Sequence, residues 1–160
     1  MFHNILVSVD ASRHSDAALT EAIDLAQSGN ARLTILTAVT KATNWTPTAA
    51  AAAGALGPEL EREAAETLSR AVDRVPASIP VTKILTHEPI RSALSKQLET
   101  GKYDLLVMGS RGRGALAASL LGSVSHYALN HGQVPVLIVH ASGDCGAAGP
   151  QKVSAAPTTA

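Results

Sequence analysis

The stretch MGSRGRGALAASLLGSVS, Met108 to Ser125, decides how the chain is read. It follows the apolar run Tyr103-Asp-Leu-Leu-Val-Met108, which has the length and composition of a buried strand. Gly109, Gly112, Gly114 and Gly122 then open the chain, and a helical pattern begins at Ser123. Strand, glycine-rich loop and helix start, in that order, make a receptor for an anion. Glycines let backbone N–H groups face a ligand with no side chain in the way. A helix N-terminus supplies unpaired N–H groups and the positive end of its dipole. The hydroxyls of Ser123 and Ser125 are expected to add donors, and Arg111 and Arg113 to meet phosphate oxygens. A surface loop whose glycines only make turns would not need the buried strand before it or the two arginines within it.

Outward from this stretch, apolar runs alternate with helical patterns. Ile5 to Val9 reads as a first strand with an exit loop at Asp10-Ala11-Ser12. A helix capped by Ser15 or Asp16 is expected to run to about Ser28, burying Leu19, Ala22, Ile23 and Ala26 and ending at Gly29-Asn30. Leu33 to Val39 is the second strand. Residues 40–57 lack a clear period, although their alanines could extend a helix, and are expected to form a mobile loop. Pro58 is placed as the first residue of the next helix, whose buried stripe is Leu60, Ala64, Leu68, Ala71, Val72 and Val75. Pro80 to Leu85 is the third strand, and a helix from Pro89 to about Glu99 closes at Gly101. After the fourth strand and the glycine loop, a helix spans Ser123 to His131 and a fifth strand Val134 to Val139. Residues 141–160, rich in Gly, Ala, Ser, Pro and Thr, are expected to be a disordered tail.

The pattern predicts a single-domain α/β fold with a doubly wound, five-stranded parallel sheet. The strand runs are nearly continuous, as expected when helices cover both faces. Ligands of such folds bind beyond the C-terminal strand ends, at the point where strand order reverses. The order 3-2-1-4-5, taken as an assumption, brings Asp10 after the first strand and Gly109 after the fourth to one crevice.

Composition narrows the function. A chain of 160 residues can bury a core, yet only 2% are aromatic, so that core must be Val, Ile, Leu and Ala. The formal net charge of +0 gives no general attraction to nucleic acid or anionic membrane, and stacking platforms for single strands are missing. The single cysteine, Cys145, excludes a disulfide within the chain. No secretory signal opens the sequence and no apolar stretch is long enough to span a membrane, so a cytoplasmic protein is expected.

The loop has neither the Gly-Lys-Ser/Thr of a Walker A motif nor the spacing of a dinucleotide fingerprint. It does read G-x-x-G, nine residues, then G-S, as Gly109, Gly112, Gly122 and Ser123. That signature, with Val9-Asp10-Ala11-Ser12 at the end of the first strand and Pro135-Val-Leu-Ile-Val139 near the end, resembles the ATP-binding subgroup of the universal stress protein family. The resemblance covers about 1–140. It implies an adenine nucleotide alpha hydrolase-like fold and an ATP-binding, regulatory, non-enzymatic stress-response module. It further implies Asp10 near adenine and ribose, the Ala38 backbone at the adenine, and Met108 and Gly109 near the ribose. Gly112, Gly122, Ser123, Val124 and Ser125 would surround the phosphates, joined by Arg111 on the reading of the residues themselves. Some family members bind Mg²⁺ with the nucleotide, held largely by phosphates and water, so no protein metal site is expected. The family also implies a homodimer through the Val134–Val139 edge strand and a protein partner that the sequence does not identify. Ala11 departs from the family's usual Gly, and His87-Glu88-Pro89 stands where a Gly usually precedes the helix; His87 is read as a solvated loop histidine, with a phosphate or ribose contact as the alternative.

Other chemistry is weaker. His126 and His131 do not share a helix face, which disfavours a metal pair. Ser12 near His14 lacks the parts of a catalytic triad, and capping is its simpler use. A slow ATPase or a nucleotidyl-transfer enzyme is the alternative reading, opposed by Ser8-Val-Asp-Ala-Ser12 where adenylating relatives carry S-G-G-x-D-S. A nucleotide-free dimeric scaffold is the third, opposed by the intact glycine set.

Overall fold

The computed structural model describes residues 1–39, 47–113 and 121–141, with the backbone alone over 47–56. Its strands are β1 (Asn4–Ser8), β2 (Arg32–Ala38), β3 (Val81–Thr86), β4 (Leu105–Gly109) and β5 (Val136–Val139). Its helices are α1 (Arg13–Gly29), α2 (Pro47–Asp73), α3 (Ile90–Glu99) and α4 (Ser123–His131). The strands form one parallel sheet in the order β3-β2-β1-β4-β5. The expected strand order and fold class are therefore observed.

Burial explains why these segments became strands. Ile5, Leu6 and Val7 are fully buried because β1 is central and both of its faces are covered. On one face Ile5, Val7, Leu33, Ile35 and Val107 pack against Leu19, Ala22 and Ala26 of α1 and Leu68 and Ala71 of α2. On the other, Leu6, Leu36, Leu106 and Met108 pack against Ala93, Leu94 and Leu98 of α3 and Ala128 of α4. Each fully buried Leu or Ile contributes roughly 1.5–3 kcal/mol, and with so few aromatics the core rests on aliphatic side chains. Register places Ser8 beside Met108, so β1 and β4 end together and their exit loops meet above the sheet.

The strand limits shift by one or two residues from expectation, and two helix starts shift further. The cap of α1 is Ser12, whose hydroxyl accepts from the Ser15 N–H at 3.2 Å, rather than Ser15 or Asp16. The Ser15 hydroxyl is occupied instead in donating to the Ser12 carbonyl at 2.9 Å. The second helix begins at Pro47, not Pro58, so 47–57 is helical rather than a loop. A proline suits a first helical position, and the alanine run Ala49–Ala53 has the highest helix propensity of any residue type. Pro58 lies inside the helix, where it removes the N–H that would bond the Gly54 carbonyl. Most of the expected stripe of α2 is buried, with Ala64, Leu68 and Ala71 in the core and Val72 and Val75 packed against it, whereas Leu60 is only partly buried. The remaining part of the expected loop, 40–46, and the expected tail from 142 onward lie outside the described residues.

Candidate functional site

Where β1 and β4 end, the polar groups of two distant segments interlock. The Asp10 carboxylate accepts from the Ser12 N–H at 3.0 Å through Oδ1 and from the Arg113 N–H at 3.0 Å through Oδ2. The first contact is a tight Asx turn. The second reaches 103 residues along the chain and ties the β1 exit to the glycine loop. Ser12 repeats the link, its hydroxyl donating to the Arg111 carbonyl at 3.3 Å.

The glycines matter here for their lack of a side chain. A Cβ at Gly109 would lie 2.6 Å from the carbonyl carbon of His14, because the first turn of α1 rests directly on the end of β4. A Cβ at Gly112 would lie 2.5 Å from Asp10 Oδ2 and displace the carboxylate. Gly122 returns the loop to the sheet by donating its N–H to the Ser110 carbonyl at 2.7 Å. It is also the N-cap of α4 and offers no side-chain cap. The first-turn N–H groups of α4 are thus left without the side-chain partner that Ser12 gives α1.

His14 holds the layer beneath. It is buried, and its Nδ1 accepts from the Ala141 N–H at 2.9 Å, so that nitrogen acts as the acceptor of the ring. The Ser110 hydroxyl lies 3.2 Å from the same nitrogen. One histidine therefore joins α1, the end of β4 and the exit from β5.

Of the expected site residues, Asp10, Gly109, Arg111, Gly112, Gly122 and Ser123 converge around the paired strand ends. Ala38 lines a neighbouring shallow cleft, whose walls also include Asp10, Thr37, Glu63, Thr67 and Arg113. Three others turn their side chains away from the crevice. The Met108 side chain is buried in the α3/α4 core, so only its backbone faces the site. Val124 also packs on that core. Ser125 is buried and its hydroxyl donates to the Gly109 carbonyl at 2.8 Å, which removes it as a donor to a ligand.

Sequence reading missed the contribution of α2. Arg113 pairs with Glu63 at 2.6 Å across the cleft, each side chain a little under half exposed. Arg91 was missed as well: from α3 it donates to the Ser123 carbonyl at 3.3 Å and lies over the Tyr127 ring. No local pattern could reveal either contact, since both join segments tens of residues apart. His87 is exposed, 3.6 Å from Glu61 on α2, in keeping with a solvated histidine. Among the described residues no group of His, Cys, Asp and Glu is arranged to hold a metal ion. No described helix is long and apolar enough to cross a membrane.

Known proteins share this fold. The model of the universal stress protein family matches residues 1–140. Universal stress protein YxiE of Bacillus subtilis is 31% identical over 148 residues, covering 87% of this chain and 99% of that one. A universal stress protein of Mycobacterium tuberculosis is 36% identical over 85 residues, 52% of this chain, and the match spans only 28% of that longer relative. A solved universal stress protein in complex with cAMP superposes with a TM-score of 0.56 at 28% identity, covering 88% of this chain and 98% of that one. A family protein from Arabidopsis thaliana with AMP bound gives a TM-score of 0.66 at 16% identity, over 92% and 97% of the two chains. With its glycine signature, strand order and a family match that spans nearly all described residues, the chain belongs to the universal stress protein family.

Proposed function

We propose that the chain is an ATP-binding regulatory module that acts as a cytoplasmic homodimer and passes its nucleotide state to a protein partner. The observation that carries the reading is the uncapped start of α4, held by Gly122 against the Ser110 carbonyl beside the Asp10–Arg113 link. N–H groups of Ser123 and Val124, the Ser123 hydroxyl and the arginines of the loop are suited to phosphate oxygens. Asp10 keeps acceptor capacity beyond its two backbone bonds, which suits ribose hydroxyls. The Ala38 backbone, at the end of β2, suits the base. Mg²⁺ would be carried by the phosphates. The cAMP-bound relative supports an adenine nucleotide as the ligand class. The triphosphate itself rests on the loop signature.

The site favours binding over catalysis. Efficient phosphoryl transfer needs a positioned lysine, an oriented water and a carboxylate for metal. Asp10, the carboxylate in the loop, is engaged with two backbone N–H groups. Gly122→Asp tests the reading by placing a negative charge at the α4 start. Its ATP affinity should fall at least tenfold, read by calorimetry on the folded variant. Unchanged affinity would refute the assignment.

For the homodimer, β5 supplies the observation. It is an edge strand whose Val136, Leu137, Ile138 and Val139 are all half-buried, whereas the opposite edge, β3, exposes Val81, Thr82 and Lys83. A lysine on an edge strand discourages further pairing, so β5 is the edge suited to a second copy. Sedimentation at micromolar concentration should give a dimer, and a monomer would contradict this part of the reading.

A further inference from the structure

The cleft beside Ala38 contains a hydroxyl with nothing to bond. Thr37, on β2, is 2% exposed, and among the described residues its Oγ1 has no hydrogen-bond partner. The other hydroxyl of the cleft lining is satisfied: Thr67 donates to the Glu63 carbonyl at 2.8 Å. A buried polar group without a partner is unfavourable, and a valine of the same shape would fill the wall without that penalty. Thr37 lines the cleft between the ends of β1 and β2 and helix α2, where the apolar Ala38, Leu60 and Ala64 stand among the polar Asp10, Glu63, Thr67 and Arg113.

We infer that the Thr37 hydroxyl is a specificity contact for the nucleoside end of the bound nucleotide. This rests on the nucleotide reading above and adds a side chain to a base site otherwise described by backbone. A hydroxyl can donate to a ring nitrogen and accept from an exocyclic amine, so it suits a purine edge entering the slot. Arg113 and Glu63 stand at the phosphate side of the same cleft, and the two ends of the ligand are therefore read by different residues.

The test compares wild type, Thr37→Val and Thr37→Ser by calorimetry with ATP and with AMP, and by thermal unfolding without ligand. Thr37→Val should weaken ATP and AMP by the same factor, roughly three- to tenfold for one neutral hydrogen bond. It should also raise the ligand-free unfolding temperature by about 2–4 °C, because the unsatisfied group is gone. Thr37→Ser, which keeps the hydroxyl, should bind like wild type. Equal affinity in Thr37→Val and wild type would overturn the inference and leave the nucleotide reading standing. So would a loss confined to ATP, a serine variant that binds as poorly as the valine variant, or a valine variant that unfolds at a lower temperature. If wild type binds neither nucleotide, both readings fall together.

Discussion

Ala11 sits at φ 62°, in the left-handed region, between Asp10 and the cap Ser12. A Cβ in that region costs roughly 1–2 kcal/mol, yet the turn is fixed on both sides by the Asp10 and Ser12 hydrogen bonds. Ala11→Gly should relieve the strain. After the greater unfolded-state entropy of glycine is counted, about 0.5–1 kcal/mol of stability should remain. Denaturant unfolding measures it, and a variant less stable than wild type would show that the turn is not strained. This residue was legible in part: the motif marked position 11 as one where the family uses Gly, and the backbone angle supplies the reason. Ser125 was legible only as a hydroxyl near a glycine loop. That it faces the Gly109 carbonyl depends on the packing of α4 against β4, which no spacing rule contains. Gly109 and Gly112 were recognised by their spacing, but their causes differ, one set by the backbone of α1 and the other by the Asp10 carboxylate.

At the scale of elements, α2 was the least legible. Pro58 carries a strong start signal, and the period before it is hidden because alanine fits any face of a helix. The consequence reaches function, since α2 supplies Glu63 to the cleft. The Glu63–Arg113 pair lies in a partly exposed setting, so it adds little to stability, on the order of 1 kcal/mol or less. It does engage the Arg113 guanidinium, so on the proposed function a phosphate would have to compete with Glu63 for it. Glu63→Gln should therefore leave the unfolding temperature nearly unchanged while ATP affinity rises severalfold and AMP affinity rises less. A weaker ATP complex would mean that Glu63 serves the ligand rather than competing for Arg113. By contrast α4 was legible to its boundaries, because a glycine at one end and a serine to histidine run between Gly122 and Gly132 leave few alternatives. The exposed start of α3 shows a smaller effect. Lys96, bonded to Glu88 at 2.6 Å, holds that carboxyl below its usual range, aided by Ser92.

For the whole molecule, the parallel sheet follows from apolar runs alternating with helical patterns, and its strand order sets everything else. Placing β1 beside β4 joins residues about a hundred positions apart, so Asp10 and Arg113 meet although neither predicts the other. The order itself entered as an assumption and not from the residues, which specify how many strands exist more clearly than which are neighbours. The two sheet edges differ as well, and that asymmetry is a property of the assembled sheet. On the proposed function, the crevice at the β1/β4 ends receives an adenine nucleotide through its phosphates.

Thermal unfolding of the wild-type chain with and without Mg-ATP, and with GTP for comparison, tests this most directly. ATP at one hundred times its dissociation constant should stabilise the fold by about 2.7 kcal/mol, a rise of roughly 5–10 °C for a chain of this size. GTP should give little or none. No shift with ATP, in protein first verified to carry no co-purified nucleotide, would contradict the account.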